Sequence, residues 1–251
     1  LAQEQFLNPP MPDIIEQWRF YLELLDIKPN DVILDVGCNL GETEFFLLNL
    51  YPYVKEAVGL DKSKNRIKLA LERWNSRDSK IRFIEGDIFS LPFQEDTFDK
   101  VICAETLEWT NPPEMAVKEI YRVLKPGGIA FIEHTDFDTQ VFTTNNLNKT
   151  REIIHKFTDS GPDGTIGRRL KSICKKVGFK SVESLVYVLM NGSFEEHLYS
   201  YKAAQMMKEW LTEKNLVVQH ELDIWIEDMK DISLKGEFFY SVNRCICLCL
   251  K

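Results

Sequence analysis

The stretch Val32 to Glu44 constrains this chain more than any other, because it reads as a strand, a turn and the start of a helix in immediate succession. The apolar run Val32, Ile33, Leu34 has the length of a fully buried parallel strand, and Asp35 ends it where a loop with two glycines begins. Gly37 and Gly41 permit positive φ and let a ligand approach bare backbone. In an open α/β sheet the crevice beyond the carboxyl end of the first strand is the usual ligand site, so function is to be sought at this loop.

The flanking sequence supplies the alternation such a sheet needs. Ile14, Trp18, Tyr21, Leu22 and Leu25 recur at helical spacing after Pro9, Pro10 and Pro12, predicting an N-terminal helix over 13–25. Short apolar strands are expected at 56–60, ending at Asp61, and at 81–84, ending in Glu85, Gly86, Asp87. Two more are expected at 98–104 and 129–133. Helices fall between them, one opened by Ser63 and carrying Ile67, Leu71 and Trp74, another over 114–124 that Pro113 starts. Lys125, Pro126, Gly127 and Gly128 read as a turn into the fifth strand. Strands alternating with helices through residue 133 argue a parallel, doubly wound sheet.

The second half is less regular. A polar loop is expected from Thr135 to Asn148, then helices over 149–157 and 170–177, the latter closed by Gly178. Two last strands are expected over 184–189 and 244–250, with two helical patterns between Phe194 and Leu234. The aromatic residues of that insertion suit a core or a cap over a substrate.

Composition narrows the function classes. A chain of 251 residues with 44% hydrophobic content can bury one core with decorations, and a single domain is expected. Thirty-one basic against 39 acidic residues give a net charge of −8 without a basic stripe, which argues against a nucleic-acid partner. No apolar run reaches the roughly 20 residues of a membrane helix, and no secretory leader is visible. The cysteines at 38, 103, 174, 245, 247 and 249 form no CxxC pair, as expected of a reduced, cytoplasmic protein. Cys245, Cys247 and Cys249 share one face of the last strand, too spread along it to hold one ion, so no metal site is expected.

The loop itself selects among nucleotide-like ligands. A dinucleotide site wants GxGxxG, and Asn39 stands where the middle glycine would be. What remains, GxxxG after an acid, gains weight from the acids that end the next two strands. Asp61 is placed to accept hydrogen bonds from both hydroxyls of a ribose. Asp87 can accept from an adenine amine while the Ile88 amide meets a ring nitrogen. A lone Asp before Gly is ordinarily a turn residue; three at the ends of three successive strands suit an adenosine without phosphates.

Residues Asp35 to Gly41, Asp61, Gly86 to Ile88, and the run from Phe98 to Gly128 with its Leu124, Lys125, Pro126, Gly127, Gly128 resemble the class I methyltransferases that use S-adenosylmethionine. The resemblance covers about residues 30–135 and is weak beyond. It implies a Rossmann-like sheet of seven strands in the order 3-2-1-4-5-7-6 with the last strand antiparallel, an N-terminal helix and a helical cap over 193–234. The cofactor core would span 27–135 and the acceptor side 135–178. It further implies Asp35 and the Gly37, Cys38, Asn39, Gly41 loop around the methionine moiety, and Asp61 and Lys62 at the ribose. Asp87 and Ile88 would hold the adenine, and Ala104 and Glu105 would complete the wall. Asn39 departs from the family's usual Gly, but Asn tolerates the left-handed conformation.

Residues 98–136 look like the small-molecule branch of that family, which implies methyl transfer from S-adenosylmethionine to an oxygen, nitrogen or carbon of a small acceptor, leaving S-adenosylhomocysteine. Positioning and exclusion of water would dominate, worth roughly 7 to 11 kcal/mol. His134 is the candidate base, and Trp18, Trp109, Asp136 and Asp138 are candidate acceptor contacts. The alternatives are a non-methylating enzyme on the same fold and a cofactor-binding module without turnover. Oligomeric state is left open by the sequence.

Overall fold

The computed structural model describes residues 11–74 and 79–251. Its elements run α1 (Pro12–Leu24), β1 (Val32–Val36), α2 (Glu42–Leu50), β2 (Glu56–Asp61), α3 (Lys64–Trp74), β3 (Ile81–Glu85), β4 (Phe98–Ala104), α4 (Pro113–Val123), β5 (Leu124–Phe142), α5 (Leu147–Ser160), α6 (Leu170–Val177), β6 (Ser181–Asn191), α7 (Tyr199–Glu213), α8 (Gln219–Leu234) and β7 (Tyr240–Leu250). The seven strands form one mixed sheet in the order β3-β2-β1-β4-β5-β7-β6, with β7 antiparallel, as the sequence resemblance implies. β1 pairs in parallel with β2 and β4, setting Asp35 opposite Gly59 on one side and Ile102 on the other.

Local chemistry explains the helices that cover the sheet. α4 begins at Pro113, whose fixed φ and missing N–H suit a first helical turn, and it turns Ala116, Val117, Ile120 and Val123 inward. α6 ends at Gly178, which takes φ of 114° where a side chain would be strained. Trp74, the last residue of α3, is fully buried, stacks on Phe45 with ring centroids 4.5 Å apart, and donates its indole N–H to the Leu40 carbonyl at 2.6 Å.

Several expectations are corrected. Lys125 to Gly128 lie inside β5: Phe98 pairs with Leu124 but Lys100 pairs with Ile129, so these residues bulge out of register. Lys125 Nζ, 2.8 Å from both carboxylate oxygens of Asp99, pins the bulge. The polar loop expected over 135–148 is strand as far as Phe142. Its polar side chains find partners on β7: Thr139 Oγ1 accepts from the Asn243 amide at 3.0 Å, and Gln140 Oε1 accepts from the Tyr240 hydroxyl at 3.2 Å. Hydrogen-bonded polar residues thus occupy positions that an apolar period would mark in an ordinary strand. The last two strands are also longer than expected, and α5 starts two residues early because Asn146 caps it, accepting from the Lys149 amide at 3.0 Å.

The chain divides into two compact units. The first comprises Phe20–His134, Ile166–Leu185 and Cys245–Lys251; the second comprises Thr135–Thr165, Val186–Arg244 and the described part of Leu1–Arg19. Each has its own apolar core. In the first, Leu34, Val58, Val101 and Ile132 of the strands meet Val117, Ile120, Leu170 and Ile173 of the helices. In the second, Phe142, Ile153, Met207, Trp225 and Tyr240 are among the buried contacts. Ile120 has no exposed surface, so Ile120→Ala should lower the unfolding free energy by about 2 to 5 kcal/mol, read from urea denaturation as a shifted midpoint with an unchanged slope.

Candidate functional site

The loop after β1 is shaped by three residues in the left-handed region, Gly37 (φ 86°), Asn39 (φ 52°) and Gly41 (φ 80°). Asn39 therefore adopts the geometry that its tolerance of that region allows. The end of β2 holds the loop in place. The Leu60 carbonyl accepts from the amides of Gly37 at 2.7 Å and Cys38 at 3.0 Å, and Asp61 Oδ2 accepts from the Asn39 amide at 3.2 Å. Asp61 Oδ1 accepts from the Ser63 amide at 2.8 Å, and Arg66 lies 3.7 Å from Oδ2. A carboxylate offers about four acceptor positions, so this clamped group keeps capacity for a ligand's hydroxyls.

Gly37 is required for space as well as for its dihedral angle. A Cβ there would lie 2.1 Å from Thr106 Oγ1, which is itself held by the carbonyls of Ala104 at 2.9 Å and Val36 at 3.3 Å. The glycine loop and the end of β4 are in direct contact.

Beyond β2 and β3, Lys62, Glu85, Gly86 and Asp87 line an open cleft of about 420 Å³. Asp87 Oδ1 accepts from the Phe89 amide at 2.9 Å, which fixes the turn on which half-buried Ile88 sits against the core. Three of the expected adenosine residues, Lys62, Asp87 and Ile88, thus cluster at this turn or line the cleft. Cys38 is buried and packs beside Gly59.

Buried acids under the loop are electrostatically unusual. Burial raises the Asp35 carboxyl to about 7, with the Thr43 hydrogen bond opposing and the Asp61 charge adding to the rise. Glu44, in the first turn of α2, is almost fully buried, and its carboxyl is raised well above the usual range by burial first and by Asp35 second. Its Oε1 lies so close to Gly59 that a Cβ there would come within 2.3 Å. In the sequence Glu44 marks only the edge of the loop, because no pattern of residue types distinguishes a buried helix acid from an ordinary one in a first turn.

At the end of β4, beside the middle of β5, Ala104 closes its strand and Glu105 takes φ of 49°, its amide donating to the Glu133 carbonyl at 3.2 Å. His134 is fully buried, with Nδ1 3.7 Å from Glu105 Oε2 and 3.4 Å from Glu108 Oε2. Burial raises the Glu108 carboxyl; His134 opposes this and Glu105 adds to it. Glu108 was not among the expected residues, although its spacing of three from Glu105 was visible. Only the short helical turn Leu107–Trp109 makes that spacing bring both carboxylates to one histidine. Trp109, on the same turn, is 58% exposed. Trp18, half-buried on α1, buried Asp136 and exposed Asp138 belong to the second unit, where Asp138 lies 3.6 Å from His155 Nε2.

Residues 34–132 match the family model described as a methyltransferase domain. Among curated relatives, the chain is 26% identical over 224 residues to phosphoethanolamine N-methyltransferase 3 of Arabidopsis thaliana, covering 87% of this chain and 40% of that protein. It is 32% identical over 174 residues to sterol 24-C-methyltransferase erg6 of Schizosaccharomyces pombe, covering 63% and 42%. The chain thus spans well under half the length of these relatives. Among solved structures, the YcgJ protein of Bacillus subtilis superposes with a TM-score of 0.62 at 17% identity, covering 94% of this chain and 98% of that one, a likeness of fold. Over residues 34–132 the chain is therefore similar to methyltransferase domains, and its sheet order is that of the Rossmann-like methyltransferase fold. No helix among the described residues is long and apolar enough to cross a membrane.

The raised Asp35 carboxyl has a signed consequence for stability. Because its folded value of about 7 exceeds the unfolded value near 4, the folded state holds the proton more tightly, and stability falls as pH rises between these values. Asp35→Asn should remove that loss. Relative to the variant, the parent protein should lose roughly 2 to 3 kcal/mol between pH 5 and 7, checked by urea denaturation of both at each pH.

Proposed function

We propose that this chain transfers a methyl group from S-adenosylmethionine to a small-molecule acceptor and releases S-adenosylhomocysteine. The observation that carries the reading is the clamped, left-handed loop from Gly37 to Gly41 with the Asp61 carboxylate at its edge and the Lys62, Gly86, Asp87 cleft beside it. In this reading Asp61 and Lys62 meet the ribose, Asp87 and the Ile88 amide read the adenine, and Asp35 with the loop backbone faces the methionine moiety. Ala104 and Glu105 close the remaining wall. A phosphate-bearing dinucleotide fits less well, since Asn39 stands where its GxGxxG loop has the middle glycine.

The chemistry asks little of the protein beyond alignment, because the sulfonium is already a good leaving group. The acceptor's nucleophile displaces the methyl group in line, and the sulfonium becomes a neutral thioether. His134 and its two glutamates are built to hold positive charge at the β4 and β5 edge, as a proton taken from an acceptor or as a cation. The small-molecule class of the acceptor is supported by the names of the relatives, which act on a phosphoethanolamine and on a sterol.

At 100 times its Kd, S-adenosylmethionine should stabilise the protein by about 2.7 kcal/mol and raise Tm, whereas NADH should leave it unchanged. The reverse result would sink this reading. Asp61→Asn should weaken S-adenosylmethionine binding roughly 10- to 100-fold in calorimetry, because it removes a charge-assisted pairing worth about 1.5 to 3 kcal/mol.

A further inference from the structure

Glu105, Glu108 and His134 each present one donor atom, and these atoms all lie within 4.8 Å of one another. The three come from one edge of the first unit: Glu105 just past β4, Glu108 on the turn Leu107–Trp109, His134 within β5. Backbone bonds fix their spacing. The Glu105 amide is tied to the Glu133 carbonyl beside His134, and the turn is closed by Trp109 N to Thr106 O at 3.2 Å and Thr110 Oγ1 to Leu107 O at 2.6 Å.

An acidic pair next to a histidine is common without any ligand, so a second observation has to decide. Glu108 Oε2 supplies it. This oxygen is buried, and although it is 3.4 Å from His134 Nδ1 it has no hydrogen-bond partner among the described residues. A buried carboxylate oxygen left unsatisfied is costly, and one aimed into a cluster of donors is satisfied by whatever occupies the cluster.

Charge and distance indicate the occupant. Two carboxylates and a neutral imidazole carry a charge of −2, which a proton on the imidazole halves and a divalent ion cancels. Ligands in adjacent positions around an ion at about 2.1 Å lie about 3 Å apart, so the observed 3.4 and 3.7 Å need only a small inward rotation of the side chains. The mixed oxygen and nitrogen donor set suits Mn²⁺ and its first-row neighbours more than Ca²⁺. Two ligands are buried, while the Glu105 side chain keeps about a third of its surface in solvent and gives an ion a way in.

The geometry points to a divalent transition-metal site formed by Glu105, Glu108 and His134 Nδ1. Three protein ligands leave coordination positions open to water or to an oxygen of the bound acceptor. The cluster is also next to the glycine loop, since Thr106, between the two glutamates, is the residue against which Gly37 is packed. The link to the acceptor rests on the methyl-transfer reading; the ion site itself does not. With an ion in place, His134 is a ligand, and proton removal from an acceptor falls to the polarising effect of the ion.

The test is titration of the full chain, stripped with a chelator and dialysed, with Mn²⁺ alone, following the loss of the free-ion signal by electron paramagnetic resonance. One ion per chain is expected at micromolar concentration, with at least a tenfold loss of affinity in Glu108→Gln and in His134→Gln. Glu152→Gln, an exposed acid of the second unit, serves as the control and should bind like the parent. The ion should raise the parent's Tm and leave that of Glu108→Gln unmoved; should Glu108→Gln fail to fold, Glu105→Gln carries the same expectation. No binding by the parent below millimolar Mn²⁺, or equal binding by the variants, overturns the site and leaves the cluster as an imidazolium between two carboxylates. Calorimetry with S-adenosylmethionine on the same samples separates the two readings, because failure there with Mn²⁺ still bound removes the methyl-transfer reading and keeps the ion.

Discussion

The structure of the site depends on the way the end of β2 fastens the loop that follows β1. Two amides share the Leu60 carbonyl and a third reaches the Asp61 carboxylate, so three consecutive residues of the loop are held by a neighbouring strand. The arrangement demands left-handed φ at Gly37, Asn39 and Gly41, and it brings Gly37 against Thr106 at the end of β4. Because β1 lies between β2 and β4 in the sheet, one short loop couples the carboxyl ends of three adjacent strands. A change at any of these contacts is therefore felt along the whole edge where ligand binding is expected.

Beneath the loop, close packing has been achieved at an electrostatic cost. Gly59 is a glycine because Glu44 and Cys38 occupy the space a side chain would take, and that places a carboxyl in the interior beside Asp35. Neither acid can ionise freely there, since burial penalises the charge, and the Asp61 charge raises Asp35 further as Asp35 raises Glu44. The N-terminal turn of α2 offsets part of this, as helix amides favour negative charge in that position. Asp61 is held differently: its two carboxyl oxygens accept from the Asn39 and Ser63 amides, which fixes one acid of the group in place as an acceptor.

Much of the fold was legible because its signals are local. Short apolar strands with Asp at or next to their carboxyl ends, a proline opening α4 and a glycine closing α6 each follow from one or two residues acting on their own neighbourhood. The extension of β5 through Thr135 to Phe142 was not legible, because its polar side chains are satisfied by residues about a hundred positions away, Thr139 accepting from the Asn243 amide and Gln140 from the Tyr240 hydroxyl. The division into two units was equally hidden. It crosses β5, β6 and β7 in mid-strand, at points where neither composition nor periodicity changes. In the site, Asp61 and Asp87 could be read from their places after strands. Glu44 and Glu108 could not, since burial and not residue type sets them apart from the other acids.

The two acid groups on this edge deal with their charge in opposite ways, and the difference bears on catalysis. Around Asp35 and Glu44 the interior favours the protonated form, raising Asp35 to about 7 and Glu44 well above the usual carboxyl range. Around His134 the carboxylates are offered a partner that is or binds a cation. In methyl transfer the donor begins as a cationic sulfonium and ends as a neutral thioether, so a strongly anionic pocket would favour the donor's ground state over a transition state in which that charge is dispersing. A loop whose acids are largely neutralised avoids that penalty.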